Sequence, residues 1–261
     1  MCYDSKARPP LPPISGGADR TGQDVELIAA DGNRFAAYSA LAAAPGGPGI
    51  VIVPDIRGLH PFYQELAERF AAAGIHATAF DYFGRTAGVG SGEARGDDFD
   101  YMSHVERTTP DTIAQDVATT ATHLRSPDGG YSSAVFTVGF CFGGRNSFNQ
   151  AARGHGLAGV IGFYGRVAPR DRDDLNAPVL LVPGFECPVL GLFGGADQGI
   201  TREDVEAFGQ ALDAAGVANE LVTYDGAPHS FFDRTFDQYR DACDDAWLRI
   251  LAFIDRLGGE R

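Results

Sequence analysis

The stretch Gly139-Phe140-Cys141-Phe142-Gly143-Gly144 lies between an apolar run predicted to be a strand, Ala134–Gly139, and a predicted helix, Gly143–Ala152. Glycines two positions before and after a nucleophile permit a tight strand-to-helix turn in which larger side chains would collide. Such a turn presents Cys141 at a helix N-terminus, whose partial positive charge favours the thiolate. Most lone cysteines are buried structural residues, which is the alternative. The glycines and the strand–turn–helix context favour a nucleophile.

A nucleophile in this kind of turn is followed along the chain by an acid and then by a base. Asp197 ends the segment 194–197, after an apolar strand and before a helix, although a carboxylate there is also a common helix N-cap. His229 lies in the segment 226–231 after the next predicted strand, although a single loop histidine is often only solvated. The order of the three residues predicts a Cys141-Asp197-His229 triad.

Strands alternate with helices along the chain, which predicts an α/β fold with a mainly parallel sheet flanked by helices on both faces. We expect a proline-rich arm over 1–20 and one domain over 21–261, with no large cap domain. Ligands in such folds bind at the C-terminal ends of the strands. The predicted strands are Val25–Ala29, Phe35–Leu41, Gly49–Pro54, Ile75–Phe80, Ala134–Gly139, Leu157–Tyr164, Val189–Gly194 and Glu220–Tyr224. The predicted helices are Pro61–Ala73, Thr109–Leu124, Gly143–Ala152, Thr201–Ala215 and Asp237–Leu257.

The composition excludes several classes of protein. The 261 residues are 44% hydrophobic and 21% charged, as in an ordinary globular protein, and the net charge of −14 disfavours nucleic acid and anionic membranes as partners. The four cysteines form no CxxC pair and the histidines have no metal-ligand spacing, so we expect neither a metal site nor a redox pair. The N-terminus has no apolar signal region, and a cytoplasmic location is therefore expected.

These segments resemble the dienelactone hydrolase family, a branch of the α/β-hydrolases, over about residues 22–257. The matching stretches are 51–58, 61–74, 80–85, 139–144, 191–197 and 226–231. The cysteine in the turn is fairly specific, since most α/β-hydrolases carry serine there. The resemblance implies hydrolysis of an unsaturated lactone carboxylate by a Cys-Asp-His triad without a cofactor. In this fold the oxyanion hole uses two backbone N–H groups, here those of Phe142 and Ile56.

The family also implies roles for residues around the nucleophile. The family has a glutamate beside the resting thiol at the position of Asp55, which is one methylene shorter and is otherwise an ordinary loop carboxylate. Arg85 matches one of two arginines that clamp the substrate carboxylate; the second position is shifted by one residue, to Arg234. Surface arginines are the alternative for both. Tyr164 either lines the pocket or packs in the core.

The sequence therefore predicts a hydrolase that opens an ester or enol lactone through a thioester acyl-enzyme. A thiolate nucleophile suits an enolate leaving group, because an ordinary alkoxide leaves less readily than the thiolate. The alternatives are a thioesterase or acyltransferase on the same triad, and a non-catalytic ligand-binding protein. The expected partner is a small ester or lactone, with a carboxylate in the family's own substrates, and the protein is either a monomer or a homodimer.

Overall fold

The structure is a computed structural model that describes residues 6–11, 22–90, 95, 98–233 and 235–259. It divides into two compact units. The N-terminal unit is Pro12–Val135, and the C-terminal unit combines Met1–Leu11 with Phe136–Arg261. Pro9 and Pro10, in the predicted arm, are buried, so this short stretch packs as a strap. The single domain over 21–261 stays a prediction.

The N-terminal unit holds four strands in the order β1-β2-β4-β3. The β1/β2 and β2/β4 pairs are antiparallel, and the β3/β4 pair is parallel. All residues of β3 and β4 are buried, as expected for apolar runs covered on both sides. The strands are β1 (Gly22–Ile28), β2 (Arg34–Ala40), β3 (Gly49–Val53) and β4 (His76–Phe80), and the helices are α1 (Pro61–Ala72), α2 (Gly84–Ala87), α3 (Tyr101–Glu106) and α4 (Pro110–Arg125).

The C-terminal unit is built on four parallel strands in the order β5-β6-β7-β8. The carboxyl ends of parallel strands meet at one edge of a sheet, and the loops after β5 to β8 therefore share that edge. The strands are β5 (Val135–Phe140), β6 (Gly159–Phe163), β7 (Val189–Gly194) and β8 (Asn219–Tyr224), and the helices are α5 (Phe142–Asn149), α6 (Pro178–Leu181), α7 (Arg202–Ala214) and α8 (Arg240–Gly258).

Phenylalanines fill the core of the C-terminal unit. Phe148, on α5, lies between Phe193 of β7 and Phe208 of α7, with ring centroids 6.2 and 5.4 Å away. Phe253 of α8 packs edge-on against Phe136 of β5. These contacts attach the helices to the strands and so fix the loops at the strand ends.

Candidate active site

Cys141 joins β5 to α5 in a strained backbone conformation. Its φ of 55° and ψ of −111° lie where residues with a side chain are rare, and such strain is typical of functional sites. Its N–H donates to the carbonyl of Phe163, at the end of β6, at 3.0 Å, and its carbonyl accepts from Arg145. Cys141 itself is half-buried. The predicted strand–turn–helix geometry is therefore present.

Two glycines of the turn are required by close backbone approach. A Cβ on Gly139 would lie 2.0 Å from the carbonyl oxygen of Gly143, and a Cβ on Gly144 would lie 2.4 Å from that of Phe163. Neither backbone oxygen can yield as a flexible side chain would. The spacing of glycines around Cys141 thus follows from the packing of the turn against itself and against β6.

Asp197 and His229 form a short hydrogen bond at the same edge of the strands. The Nδ1 atom of His229 donates to Oδ2 of Asp197 at 2.6 Å, while Oδ1 accepts the N–H of Gly199 at 2.8 Å. The Asp197 side chain is only 3% exposed, whereas that of His229 is 26% exposed. An imidazole held through Nδ1 has its Nε2 available for proton transfer, as in an acid–base–nucleophile triad.

The loops that carry this pair are attached to each other. The N–H of Ala196 donates to the carbonyl of Ala227 at 2.9 Å. A Cβ on Gly194 would lie 2.4 Å from that same carbonyl oxygen. The acid and the histidine are therefore held by backbone contacts as well as by their own hydrogen bond.

Tyr164 lies beside the histidine. Its ring centroid is 5.0 Å from that of His229, and it also packs 5.7 Å from Phe231. Its φ is 37° and its N–H donates to the carbonyl of Leu192 at 2.8 Å. The side chain is 2% exposed and buttresses the imidazole. The contact between Tyr164 and His229 was not predicted from the sequence, because the two residues lie far apart in the chain.

The predicted oxyanion residue Ile56 lies in the N-terminal unit, in the loop after β3. The Asp55 N–H donates to the hydroxyl of Tyr63 at 3.0 Å, and the Tyr82 hydroxyl donates to the Asp55 carbonyl at 2.6 Å. These bonds fix the peptide on one side of Ile56.

The carboxylate of Asp55 is bound by Arg57. It accepts from the Arg57 backbone N–H at 2.9 Å and from the guanidinium at 2.8 Å, and both side chains are almost fully buried. We expected Asp55 beside the thiol, and its role there stays a prediction. Sequence reasoning missed Arg57, although a buried aspartate two residues from an arginine is itself a signal for such a pair.

Arg85, the predicted carboxylate clamp, is bound by acidic groups of its own unit. Its guanidinium donates to Asp116 at 2.8 Å and also pairs with Asp31, and its side chain is 13% exposed. Although burial lowers the pKa of Arg85, the bonds to these two carboxylates raise that pKa above its usual value. This arrangement favours a structural role for Arg85, because two anions already neutralise it. The second predicted clamp residue, Arg234, lies outside the described residues.

Within the part of the chain that the structure describes, no three or more His, Cys, Asp or Glu side chains are grouped to hold a metal ion. In that same part, no helix combines the length and apolar character needed to cross a membrane.

A cysteine in a glycine-flanked turn after a parallel strand, followed by an aspartate–histidine pair after two later strands, is the arrangement of an α/β-hydrolase. Residues 35–258 match the dienelactone hydrolase family. The match covers most of the chain, and the protein therefore belongs to this family of hydrolases.

Relatives of known description agree with the family. A Salmonella typhimurium protein assigned as a carboxymethylenebutenolidase is 30% identical over 248 residues, which cover 91% of this chain and 88% of that protein. The carboxymethylenebutenolidase of Rhodococcus opacus is 27% identical over 98% of this chain and 97% of its own length. A solved structure from Klebsiella pneumoniae, assigned as a dienelactone hydrolase, is 27% identical, covers 89% of this chain and 98% of its own, and superimposes with a TM-score of 0.75. The predicted fold class is confirmed.

Proposed function

We propose that this protein hydrolyses an enol lactone or activated ester through a thioester formed on Cys141. The observation that carries the proposal is the 2.6 Å bond between Asp197 and His229, at the strand edge where the strained turn holds Cys141. Two relatives named for the hydrolysis of a carboxymethylenebutenolide, a lactone with a carboxylate outside the ring, support this class of substrate.

The first half of the reaction forms the acyl-enzyme. The Cys141 sulfur attacks the lactone carbonyl, with its proton taken up by Nε2 of His229, and Asp197 stabilises the resulting imidazolium. The backbone N–H group of Phe142, the first residue of α5, donates to the oxyanion. The carbon–oxygen bond of the ring then breaks and the enolate leaves, so that a thioester remains on Cys141. The released enolate then takes up the proton held by His229, which becomes neutral again.

The second half restores the enzyme. His229, neutral again, removes a proton from water, and the hydroxide attacks the thioester carbonyl. The carbon–sulfur bond then breaks, and the Cys141 thiolate leaves and takes the proton back from His229. An enolate departs with little protonation, whereas a simple alkoxide would leave less readily than the thiolate. The proposal therefore favours enol lactones and aryl esters over simple alkyl esters.

Mass spectrometry of the acyl-enzyme tests the nucleophile. The wild-type protein is mixed with 4-nitrophenyl acetate and quenched in acid, and its peptides are then mapped. We expect one acetyl group on the peptide with Cys141, and Cys141→Ala to lower kcat by about 10³-fold or more. Cys187→Ala is the matched control and should keep the wild-type rate within about twofold, since Cys187 lies at a strand start far from the turn.

Other outcomes would indicate the alternatives. Acetylation at another residue, or full activity in Cys141→Ala, would contradict the mechanism. A protein that takes up no acetyl group and opens no lactone would be a binding protein. Acyl transfer to an added thiol that is faster than hydrolysis would indicate a transferase on the same triad.

A further inference from the structure

Tyr164, the first residue after β6, has a strained backbone. Its φ of 37° is one of four positive values among the non-glycine residues that the structure describes. Two of the others belong to Cys141 and to Ser230, the residue that follows His229. Such conformations are costly and persist where the surrounding structure imposes them, typically at functional sites. The strain at Tyr164 therefore belongs to the same strand edge as the nucleophile and the base.

Neighbouring backbone groups hold Tyr164 in this conformation. Its N–H donates to the carbonyl of Leu192, in β7, at 2.8 Å. A Cβ on the next residue, Gly165, would lie 2.4 Å from a backbone nitrogen of α5. The carbonyl of the preceding residue, Phe163, accepts the N–H of Cys141 at 3.0 Å. The chain at the end of β6 is therefore fixed both to β7 and to the turn that carries the nucleophile.

The strained turn directs the ring of Tyr164 toward the histidine. In a regular strand, consecutive side chains point to opposite faces of the sheet. Here the rings of Phe163 and Tyr164 both pack against Phe231, with centroid distances of 6.1 and 5.7 Å. The ring of Tyr164 also lies 5.0 Å from the imidazole of His229, at an interplanar angle of 53°. The backbone that is fixed to the nucleophile turn thus places an aromatic ring against the base.

The hydrogen bond to Asp197 fixes only one atom of the imidazole. That bond directs Nδ1 toward the carboxylate, but the ring can still tilt about it. The side chain of His229 is 26% exposed, whereas Tyr164 is 2% exposed and cannot easily move away. A displacement of about 1 Å at a reacting group can slow a reaction about 100-fold. A tyrosine ring within about 6 Å also attracts a cation, which favours the imidazolium formed during the reaction.

We propose that Tyr164 is a positioning residue, whose ring holds the imidazole of His229 in the orientation that exchanges protons with Cys141. The aromatic ring carries this role and the hydroxyl group does not. Tyr164 therefore sets the rate of the chemical steps and leaves the binding of substrate unchanged. The proposal rests on the proposed hydrolase function, and it differs from both roles expected from the sequence, which were pocket lining and core packing.

Steady-state kinetics with 4-nitrophenyl acetate, a small neutral ester, test the proposal. In Tyr164→Leu we expect kcat to fall about 10- to 100-fold while KM stays within about twofold of wild type, because a misplaced imidazole slows both half-reactions. Tyr164→Phe keeps the ring and should recover kcat to within about threefold of wild type. The thermal unfolding midpoint shows whether each variant is folded. If Tyr164→Leu does not fold, Tyr164→Met takes its place, since an unbranched side chain fills irregular space.

Tyr224→Leu is the matched control. Tyr224 is also a tyrosine whose ring packs against Phe231, at a centroid distance of 5.1 Å. Its hydroxyl donates to Asp245 on α8 at 2.8 Å, and in the part of the chain that the structure describes no ring contact joins it to His229. We expect Tyr224→Leu to lose stability but to keep kcat within about threefold of wild type.

The other outcomes overturn the proposal. An increase in KM with kcat unchanged in Tyr164→Leu would mean that Tyr164 lines the substrate pocket, and unchanged kinetics would mean that it only packs in the core. If Tyr164→Phe is as slow as Tyr164→Leu, the hydroxyl group carries the effect. An equal loss of kcat in Tyr224→Leu would assign the effect to general packing around Phe231. Failure of the wild type to become acetylated on Cys141 would instead remove the hydrolase function on which the proposal rests.

Discussion

Among the residues that the structure describes, Cys141 differs from the other two cysteines in its surroundings. Cys187 and Cys243 are 7% and 0% exposed, whereas Cys141 is half-buried at the start of a helix. Burial raises the pKa of the Cys187 thiol, and likewise that of the Cys243 thiol, to about 12. At pH 8 only roughly one in 10⁴ of such thiols is ionised. The three thiols should therefore differ in reactivity.

Alkylation kinetics test this difference. At pH 8 we expect iodoacetamide to modify Cys141 at least about 100-fold faster than Cys187 or Cys243, because the thiolate is the reacting species and only Cys141 is accessible. Peptide mapping over time measures each rate, and the same reaction in denaturant should bring the three rates together. A Cys187 or Cys243 rate equal to that of Cys141 in the folded protein would contradict the assignment.

At the scale of single residues, the sequence predicts which residues belong to the candidate site better than it predicts which side chains they contact. Cys141, Asp197 and His229 were predicted because each follows a strand in a fixed order, and the Asp197–His229 bond agrees with that order. The partners of Arg85 were missed, since Asp31 and Asp116 lie 54 and 31 residues away from it. Long-range ion pairs leave no local pattern, and a motif match alone therefore suggested a clamp.

At the scale of elements, the strands and the long helices were predicted well, whereas the short helices were not. The eight predicted strands and five predicted helices all occur, and most of them have shifted ends. For example, the closing helix begins at Arg240, because Phe236–Tyr239 form a separate 3₁₀ turn. The helices α2, α3 and α6 were missed, since four to six residues are too few to show a helical period.

Alanine substitution tests the turn between β5 and α5. In Gly139→Ala the new methyl group would meet the carbonyl of Gly143 at 2.0 Å, so the turn must open. We expect a loss of about 2–4 kcal/mol in the free energy of unfolding and a large loss of activity. Urea denaturation and a 4-nitrophenyl acetate assay measure the two effects.

Gly184→Ala is the control for this prediction. A Cβ on Gly184 would lie 3.5 Å from the Cβ of Ala152, which is an ordinary van der Waals distance. We expect the stability of this variant to stay within about 1 kcal/mol of wild type. If Gly139→Ala were equally well tolerated, the turn would not be as tightly packed as described.

The ion pairs of Arg85 connect α2 to α4 and to the loop after β1. Asp116 is 1% exposed in its side chain, so Arg85→Ala would leave a buried carboxylate without its counter-ion. We expect a loss of about 3–5 kcal/mol in the free energy of unfolding, partly restored in Arg85→Ala with Asp116→Asn. Urea denaturation measures both variants. The exposed pair Arg34–Glu26 supplies the control, and Arg34→Ala should lower the free energy of unfolding far less than Arg85→Ala does.

Enzyme kinetics distinguish the structural role of Arg85 from the predicted role in which Arg85 binds the substrate carboxylate. The double variant, in which the buried charge is also removed, should keep the wild-type preference for a lactone that carries a free carboxylic acid over the same lactone with a primary amide in its place. A selective loss of activity on the acid in that variant would show that Arg85 binds the carboxylate after all.

For the whole molecule, the pH dependence of stability depends on a few buried groups. Most carboxylates keep their charge between pH 7.5 and 5.5, and histidines are the side chains that ordinarily titrate in this range. Within it, burial lowers the pKa of His76 and of His123, while burial raises the pKa of Asp116 to about 6 despite the opposing effect of Arg85. The histidines and the aspartate act in opposite directions.

The histidines should dominate as the pH falls. Nδ1 of His76 accepts the N–H of Ala42 at 3.1 Å and so cannot take up a proton without breaking that bond. Below about pH 6.5 the unfolded chain therefore binds protons that the folded protein does not, and stability falls by up to about 1.4 kcal/mol per pH unit for each such histidine. Asp116 has the opposite sign, because the folded protein protonates it near pH 6 and the unfolded chain does so only near pH 4.

Urea denaturation at a series of pH values measures the balance between the two. We expect the free energy of unfolding of the wild type to fall between pH 7.5 and 5.5. His76→Gln, which does not titrate, should fall less steeply over the same range, and Asp116→Asn, which loses the opposing group, should fall more steeply. Only the slopes are compared, so a constant loss of stability in either variant does not affect the test. Equal slopes in all three proteins would mean that neither buried group controls the acid sensitivity of the fold.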